Sequence, residues 1–106
     1  MTVYVDDAYI EATVRNGDRT YTSRWCHLTA DTREELHQFA TEVMHMRRAW
    51  FQDHVRLWHY DLTEGKRHLA VKFGAKEISQ REMVQIGLRR KVPHAETEGN
   101  GDAETA

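Results

Sequence analysis

Hydrophobic and polar positions change rhythm several times along the chain, and each rhythm predicts an element. "TVYVD" (2–6) is β-branched and aromatic, which suits a strand. "IEATV" (10–14) alternates, placing Ile10, Ala12 and Val14 on one face of a second strand. Asn16-Gly17 signals a tight turn, and "TYTSRWCHL" (20–28) reads as the second arm of a hairpin, with Asp18 and Arg19 able to lengthen the turn. From residue 31 the period becomes helical. Asp31 and Glu34 stand at capping-box spacing, and Leu36, Phe39, Ala40, Val43 and Met44 follow as a buried stripe. Arg47 and Arg48 close this helix, where positive charge suits the dipole. "AWF" (49–51) is a short strand candidate. A second helix is predicted from near Thr63 to Gly74, burying Leu69, Ala70 and Phe73 and ending on a glycine that accepts the left-handed cap. "AKEI" (75–78) is another short strand, and Ser79 with Glu82 opens a third helix through about Arg90, with Met83, Ile86 and Leu88 inward.

Strand, hairpin, helix, strand, helix, strand, helix is the order of a small α/β domain over residues 1–92. The expected sheet is mixed, with parallel core strands plus a β-hairpin, and there are three helices. Residues 93–106 hold almost no apolar side chain and are expected to form a disordered acidic tail. In open α/β sheets, ligands gather beyond the carboxyl ends of the parallel strands. Here those ends are Asp6-Asp7, Gln52-Asp53 and Ser79, and the stretch "HVRLWHYDLT" (54–63) runs from the second of them into the second helix.

Composition narrows the classes. The 106 residues, 40% hydrophobic and 30% charged, suit one globular domain with one modest core. No apolar run approaches a membrane span, and "TVYVDDAYIEA" lacks the basic and apolar regions of a signal peptide. Cys26 is the single cysteine, so an intrachain disulfide and a thiolate metal cluster are excluded. A cytoplasmic setting is the expectation. The net charge of −2 includes Glu96, Glu98, Asp102 and Glu104 of the tail; without them 15 basic residues face 13 acidic ones. A body so mildly basic permits a nucleic-acid partner without arguing for one.

The candidate chemistry lies at the predicted strand ends. Asp6 and Asp7 end the first strand, where carboxylates can hold Mg²⁺ or Mn²⁺; the plainer reading is a strand-to-turn exit. Trp25 and His27 share a strand face, with Tyr21 and Ser23 further along it. His27 suits a ligand or an acid–base catalyst, and equally a histidine hydrogen-bonded at the core margin. In "LWHYDLTEGKR" (57–67), an extended backbone sends His59 and Asp61 to one side and Trp58 and Tyr60 to the other. His-x-Asp suits Mn²⁺, Fe²⁺ or Zn²⁺, although the spacing is common by chance. Thr63, Lys66 and Arg67 open the second helix, where free N–H groups and the dipole favour a phosphate; a simple Thr N-cap followed by solvated charges satisfies the same backbone. Trp50 and Phe51 read as core, and His54 and Arg56 as loop residues within reach of a site. Phosphate-loop, dinucleotide-glycine, serine-elbow and zinc-finger spacings are absent.

"VYVDD" (3–7), "WCHLTAD" (25–31), "EELHQFA" (34–40), "RRAWFQ" (47–52) and "HYDLTEGKR" (59–67) together resemble the domain of unknown function 4031 family, over about residues 2 to 79. The resemblance implies a small bacterial or phage-encoded protein and supplies no activity. It also implies a glycine shortly before the Arg-Arg pair, where this chain has His45-Met46.

The leading expectation is a metal-dependent hydrolase acting on a phosphate-bearing substrate, a nucleotide or nucleic-acid end. Asp6 or Asp7, His59 and Asp61 would hold the metal, His27 would be the acid–base residue, and Thr63, Lys66 and Arg67 would hold the phosphate. The rival is a non-catalytic module for a nucleotide, a single strand or a host protein, with Trp25, Trp58 and Tyr60 as stacking surfaces. A third reading is a purely protein-binding effector.

Overall fold

A computed structural model describes residues 2–90. Five strands run along the chain: β1 (Val3–Val5), β2 (Ile10–Asn16), β3 (Arg19–Ala30), β4 (Tyr60–Thr63) and β5 (Lys76–Glu77). Three α-helices accompany them: α1 (Arg33–Gln38), α2 (Glu64–Lys72) and α3 (Gln80–Arg89). The domain is α/β with a mixed sheet and three helices, as the sequence pattern predicts. The expected acidic tail, 93–106, lies outside the described residues. No helix among the described residues is long and apolar enough to cross a membrane.

The long strand β3 organises the sheet. β2 pairs antiparallel with its first half, from Asn16↔Arg19 to Ile10↔Trp25, and β1 with its last residues, from Val5↔Leu28 to Val3↔Ala30. The hairpin turn stays at two residues, because Gly17 takes φ 68° without a Cβ penalty. On the opposite edge of β3 lies β4, antiparallel, with His27↔Asp61 and Trp25↔Thr63 in register. The parallel contribution is β1 with β5, Tyr4↔Lys76 and Val5↔Glu77. Residues 48–50 form a 3₁₀ turn where a strand was expected, and the adjoining Gln52 makes a single bridge to His59. A three-residue apolar run carries no period of its own, so its surroundings decide its backbone.

Packing corrects several predicted faces. One face of the sheet carries Val5, Leu28, Tyr60 and Leu62, all fully buried, against Leu36, Ala40 and Ala70 from the helices. Thr32, not Asp31, caps α1 through Glu35 N–H (3.1 Å), because the Asp31 carboxylate is engaged by Thr2 N–H and the Tyr4 hydroxyl. After α1 the chain makes a π-helical turn, Phe39–Val43. Its wider step keeps Leu36, Ala40 and Met44 inward and leaves Val43 exposed. On α2, Leu69 and Phe73 face solvent, while Arg67 and Ala70 are buried. Arg67 turns inward because its Nε–H donates to Asp6 O (2.7 Å), a carbonyl at the strand end; its Nη1 reaches Glu77 at 3.2 Å. The α3 capping box forms as predicted, with Met83 buried and Leu88 exposed.

His45 is left-handed, φ 56°, at the exit from the π-helical turn. Its side chain is exposed, and the Met46 N–H behind it bonds Ala40 O at 2.8 Å, which fixes the reversal. The left-handed region strains an L-residue, though histidine tolerates it better than most. Replacing His45→Gly is expected to stabilise the fold by about 0.5–1 kcal/mol, the relief of that strain less glycine's greater chain entropy. Urea unfolding tests this: the midpoint rises at unchanged slope if the strain is real, and falls if His45 makes a stabilising contact.

Candidate metal centre

The site grows from a gap in strand pairing. Val5↔Leu28 ends one ladder and Ile10↔Trp25 begins the next, so residues 6–9 lie opposite only Cys26 and His27. Tyr9 takes φ 47° to turn the chain back. In this gap the Asp6 side chain supplies what a strand partner would: its Oδ1 accepts the His27 backbone N–H at 2.8 Å and the Ala8 N–H at 3.3 Å. Its Oδ2 meets His27 Nδ1 at 2.7 Å. Asp6 is fully buried, a carboxylate kept from water by a complete set of donors.

These contacts set protonation. Burial works to raise the Asp6 carboxyl, but the His27 ring and backbone N–H groups, the His27 charge and the Ala8 N–H outweigh it and hold it below its ordinary 3.8. His27 is raised above 6.5, foremost by the Asp6 hydrogen bond, against the opposing effect of desolvation. With Nδ1–H given to Asp6, the neutral ring keeps its lone pair on Nε2.

The partner strand brings the second imidazole. The His59 Nδ1–H donates to Leu57 O at 2.7 Å, which again leaves Nε2 as the lone-pair nitrogen. That Nε2 is 3.2 Å from Asp61 Oδ1, and the His27 and His59 rings meet edge-on with centroids 4.8 Å apart. One ligand atom from each of His27, His59 and Asp61 lies within 4.8 Å of the others. His59 is buried and the Asp61 carboxylate is 41% exposed, so the trio opens to solvent on the Asp61 side. The His54 ring stands 5.3 Å from that of His59, on the exposed loop before it.

Beside the trio runs a cleft of about 490 Å³. Asp61 belongs to both, and Thr63 and Lys66 continue its wall from β4 into α2. Val14, Tyr21 and Trp25 line the sheet side and Trp50 the facing turn. The Trp25 indole N–H donates to Ala12 O at 3.0 Å, which fixes the ring.

The residues singled out from sequence thus divide. His27, His59 and Asp61 converge, and Trp25, Thr63 and Lys66 border the adjoining cleft. Asp6 stands behind His27 with both oxygens engaged rather than among the possible ligands. Asp7 is elsewhere: its carboxylate accepts the Gln80 N–H at 2.7 Å in the first turn of α3. Arg67 is buried against Asp6 O and has no reach to an outside phosphate. Trp58 and Tyr60 point to the core side; Arg90 lies 3.6 Å over the Trp58 ring, and the Tyr60 hydroxyl bonds His37 Nδ1 at 2.9 Å. Neither offers a stacking surface. Thr63 Oγ1 caps α2 through the Lys66 N–H at 3.3 Å. Trp50, expected in the core, is 37% exposed and forms a cleft wall. Its place shows only once the turn before Gln52 is folded against the sheet, since nothing local marks it.

The family model described as Protein of unknown function (DUF4031) matches residues 3–90, so the chain belongs to that family. No curated protein and no solved structure matches the chain.

The Asp6–His27 pair makes stability depend on pH in a defined window. A lowered carboxyl contributes stability that is complete above 3.8 and lost as pH falls through its folded value; a raised imidazole contributes stability that is complete below 6.5 and lost as pH rises through its folded value. In chelator, the stability gap between the native chain and Asp6→Asn is therefore expected to be widest between pH 3.8 and 6.5 and to narrow on both sides. Denaturant unfolding across pH measures it, and a gap independent of pH would show that the pair does not couple.

Proposed function

We propose that this DUF4031 protein is a metal-dependent hydrolase of a phosphate-bearing substrate, with His27, His59 and Asp61 as its ligands. The observation that carries the reading is the convergence of a ligand atom from each of two imidazoles and a carboxylate, with each imidazole held at Nδ1 by its own acceptor. Metal-ligating imidazoles regularly have this second anchoring, because it fixes tautomer and ring direction. Two imidazoles and one carboxylate suit Zn²⁺, Fe²⁺ or Mn²⁺ better than Mg²⁺, which prefers oxygen. One ion held by all three would draw together ligand atoms that now lie within 4.8 Å of one another. Asp61, at 41% exposure, has the room to turn inward.

A divalent metal held by His27, His59 and Asp61 would supply a more acidic water as the nucleophile. The chain's own groups do the rest. Asp6 holds the His27 ring and strengthens it as a donor. Lys66, beside Asp61 in the cleft, offsets phosphate charge. The water oxygen adds to phosphorus, the P–O ester bond breaks, and the alcohol leaves with a proton while the second proton of water is released or kept by the phosphate.

One contact favours a second reading. At 3.2 Å, His59 Nε2 and Asp61 Oδ1 can satisfy each other as an ion pair, with the cleft serving as a metal-free binding module. Chelator separates the two.

Competition against a chromophoric chelator is expected to show one Zn²⁺ or Mn²⁺ per chain, lost in His59→Ala and in Asp61→Ala. Asp6→Asn should weaken affinity about 10–100-fold without changing stoichiometry. Phosphoester hydrolysis should follow occupancy. Turnover that survives the double variant His59→Ala/Asp61→Ala would end the proposal.

A further inference from the structure

The cleft beside the trio shows features that phosphate hydrolysis does not require. Simple phosphate recognition needs donors and charge, yet two large aromatic rings stand partly bare here: Tyr21 at 47% and Trp50 at 37% exposure. Trp25 joins them with its indole N–H already committed to Ala12 O. A ring held in place before any ligand arrives loses little freedom on binding, which favours a flat partner.

Position along the strand gives the cleft a direction. His27, Trp25 and Tyr21 lie on one face of β3, at steps of two and four residues. At about 3.3 Å per residue, Trp25 lies roughly 7 Å from the His27 position and Tyr21 roughly 20 Å from it. The reactive end therefore adjoins Trp25, and the aromatic floor continues away from it. Charge follows the same axis: Asp61 and Lys66 mark the near end, and Arg15, whose β2 position pairs with Thr20, marks the far end. The volume, about 490 Å³, falls within the usual range for small-molecule sites.

From this arrangement we infer that the cleft seats a nucleoside monophosphate unit, its base stacked among Trp25, Trp50 and Tyr21 and its phosphate toward Asp61 and Lys66. This rests on the proposed function for its placing of the phosphate, while the seat for the base stands on the cleft alone. A flat heterocycle meets π-faces without needing a particular hydrogen-bond pattern, so the seat accepts more than one base. Asp61 repels a bare phosphate, so the phosphate end engages only when a metal offsets that charge, whereas the base end engages without it.

Tryptophan fluorescence of the full chain, titrated with adenosine, AMP and ribose 5-phosphate in Mn²⁺ and in EDTA, tests the inference. Adenosine and AMP are expected to bind in both conditions, AMP more tightly with Mn²⁺, and ribose 5-phosphate only with Mn²⁺. Trp50→Ala should weaken adenosine and AMP about tenfold and leave ribose 5-phosphate unchanged. Tyr21→Ala, on a different element, should weaken the base-bearing ligands as well, and thermal unfolding of both variants confirms that they fold. Equal binding of AMP and ribose 5-phosphate, or folded variants that leave AMP binding unaltered, would overturn the inference. Mn²⁺-dependent hydrolysis with no preference for nucleotides would uphold the hydrolase and remove the base seat. Stacking-dependent AMP binding with no hydrolysis in Mn²⁺ would do the reverse. An oligonucleotide bound more tightly than AMP identifies the unit as a strand end, and the opposite order as a free nucleotide; both support the base seat.

Discussion

A buried carboxylate takes the place of a missing strand partner in this fold, and both the sheet and the candidate site depend on it. Between β1 and β2 the ladder along β3 is interrupted, and a bare His27 N–H there would leave a partly buried donor unpaired. Asp6 accepts that N–H with one oxygen and the His27 imidazole with the other. One side chain thereby completes the backbone and orients the ring. Breaks of this kind, with extra residues opposite a continuous strand, re-aim side chains at sheet edges and sites.

Around this pair the charged residues sort by what they must reach. Arg67 lies along α2 with its guanidinium on the Asp6 carbonyl and 5.2 Å over the Tyr9 ring, so the helix and the break are tied by one cation. Arg90 does similar work at the other end of β3, bonding Ala30 O at 2.7 Å and covering Trp58. Both cations are committed to carbonyls and aromatic faces of the fold. Lys66, one position before Arg67, is left to the cleft because a helix turns its successive side chains about 100° apart.

The two faces of the sheet carry different demands. Alternation sends Cys26, Leu28, Tyr60 and Leu62 into the core, and Trp25, His27, Asp61 and Thr63 to the other side. Pairing of β3 with β4 then places His27 directly opposite Asp61. The period-two reading of residues 58–61 contained this division, since it set His59 and Asp61 apart from Trp58 and Tyr60. It did not say which set faced inward, so aromatics that fill the core were read as stacking surfaces.

Local chemistry was legible wherever neighbours in the chain are neighbours in space. The Asn16-Gly17 turn, the Ser79–Glu82 capping box, the Thr63 cap and the glycine stop at Gly74 are each satisfied by atoms a few residues away, and each forms where the sequence points. Asp31, Asp7 and Arg67 show the limit. Their partners are Tyr4, Gln80 and the Asp6 carbonyl, which lie 27, 73 and 61 residues away along the chain. A polar side chain goes to the unpaired donor or acceptor that folding brings nearest, and that choice is not written in local spacing. The ingredients of the trio are readable one by one, but their convergence follows from two facts of assembly: the register of β4 on β3, and a gap in pairing that only a buried carboxylate completes.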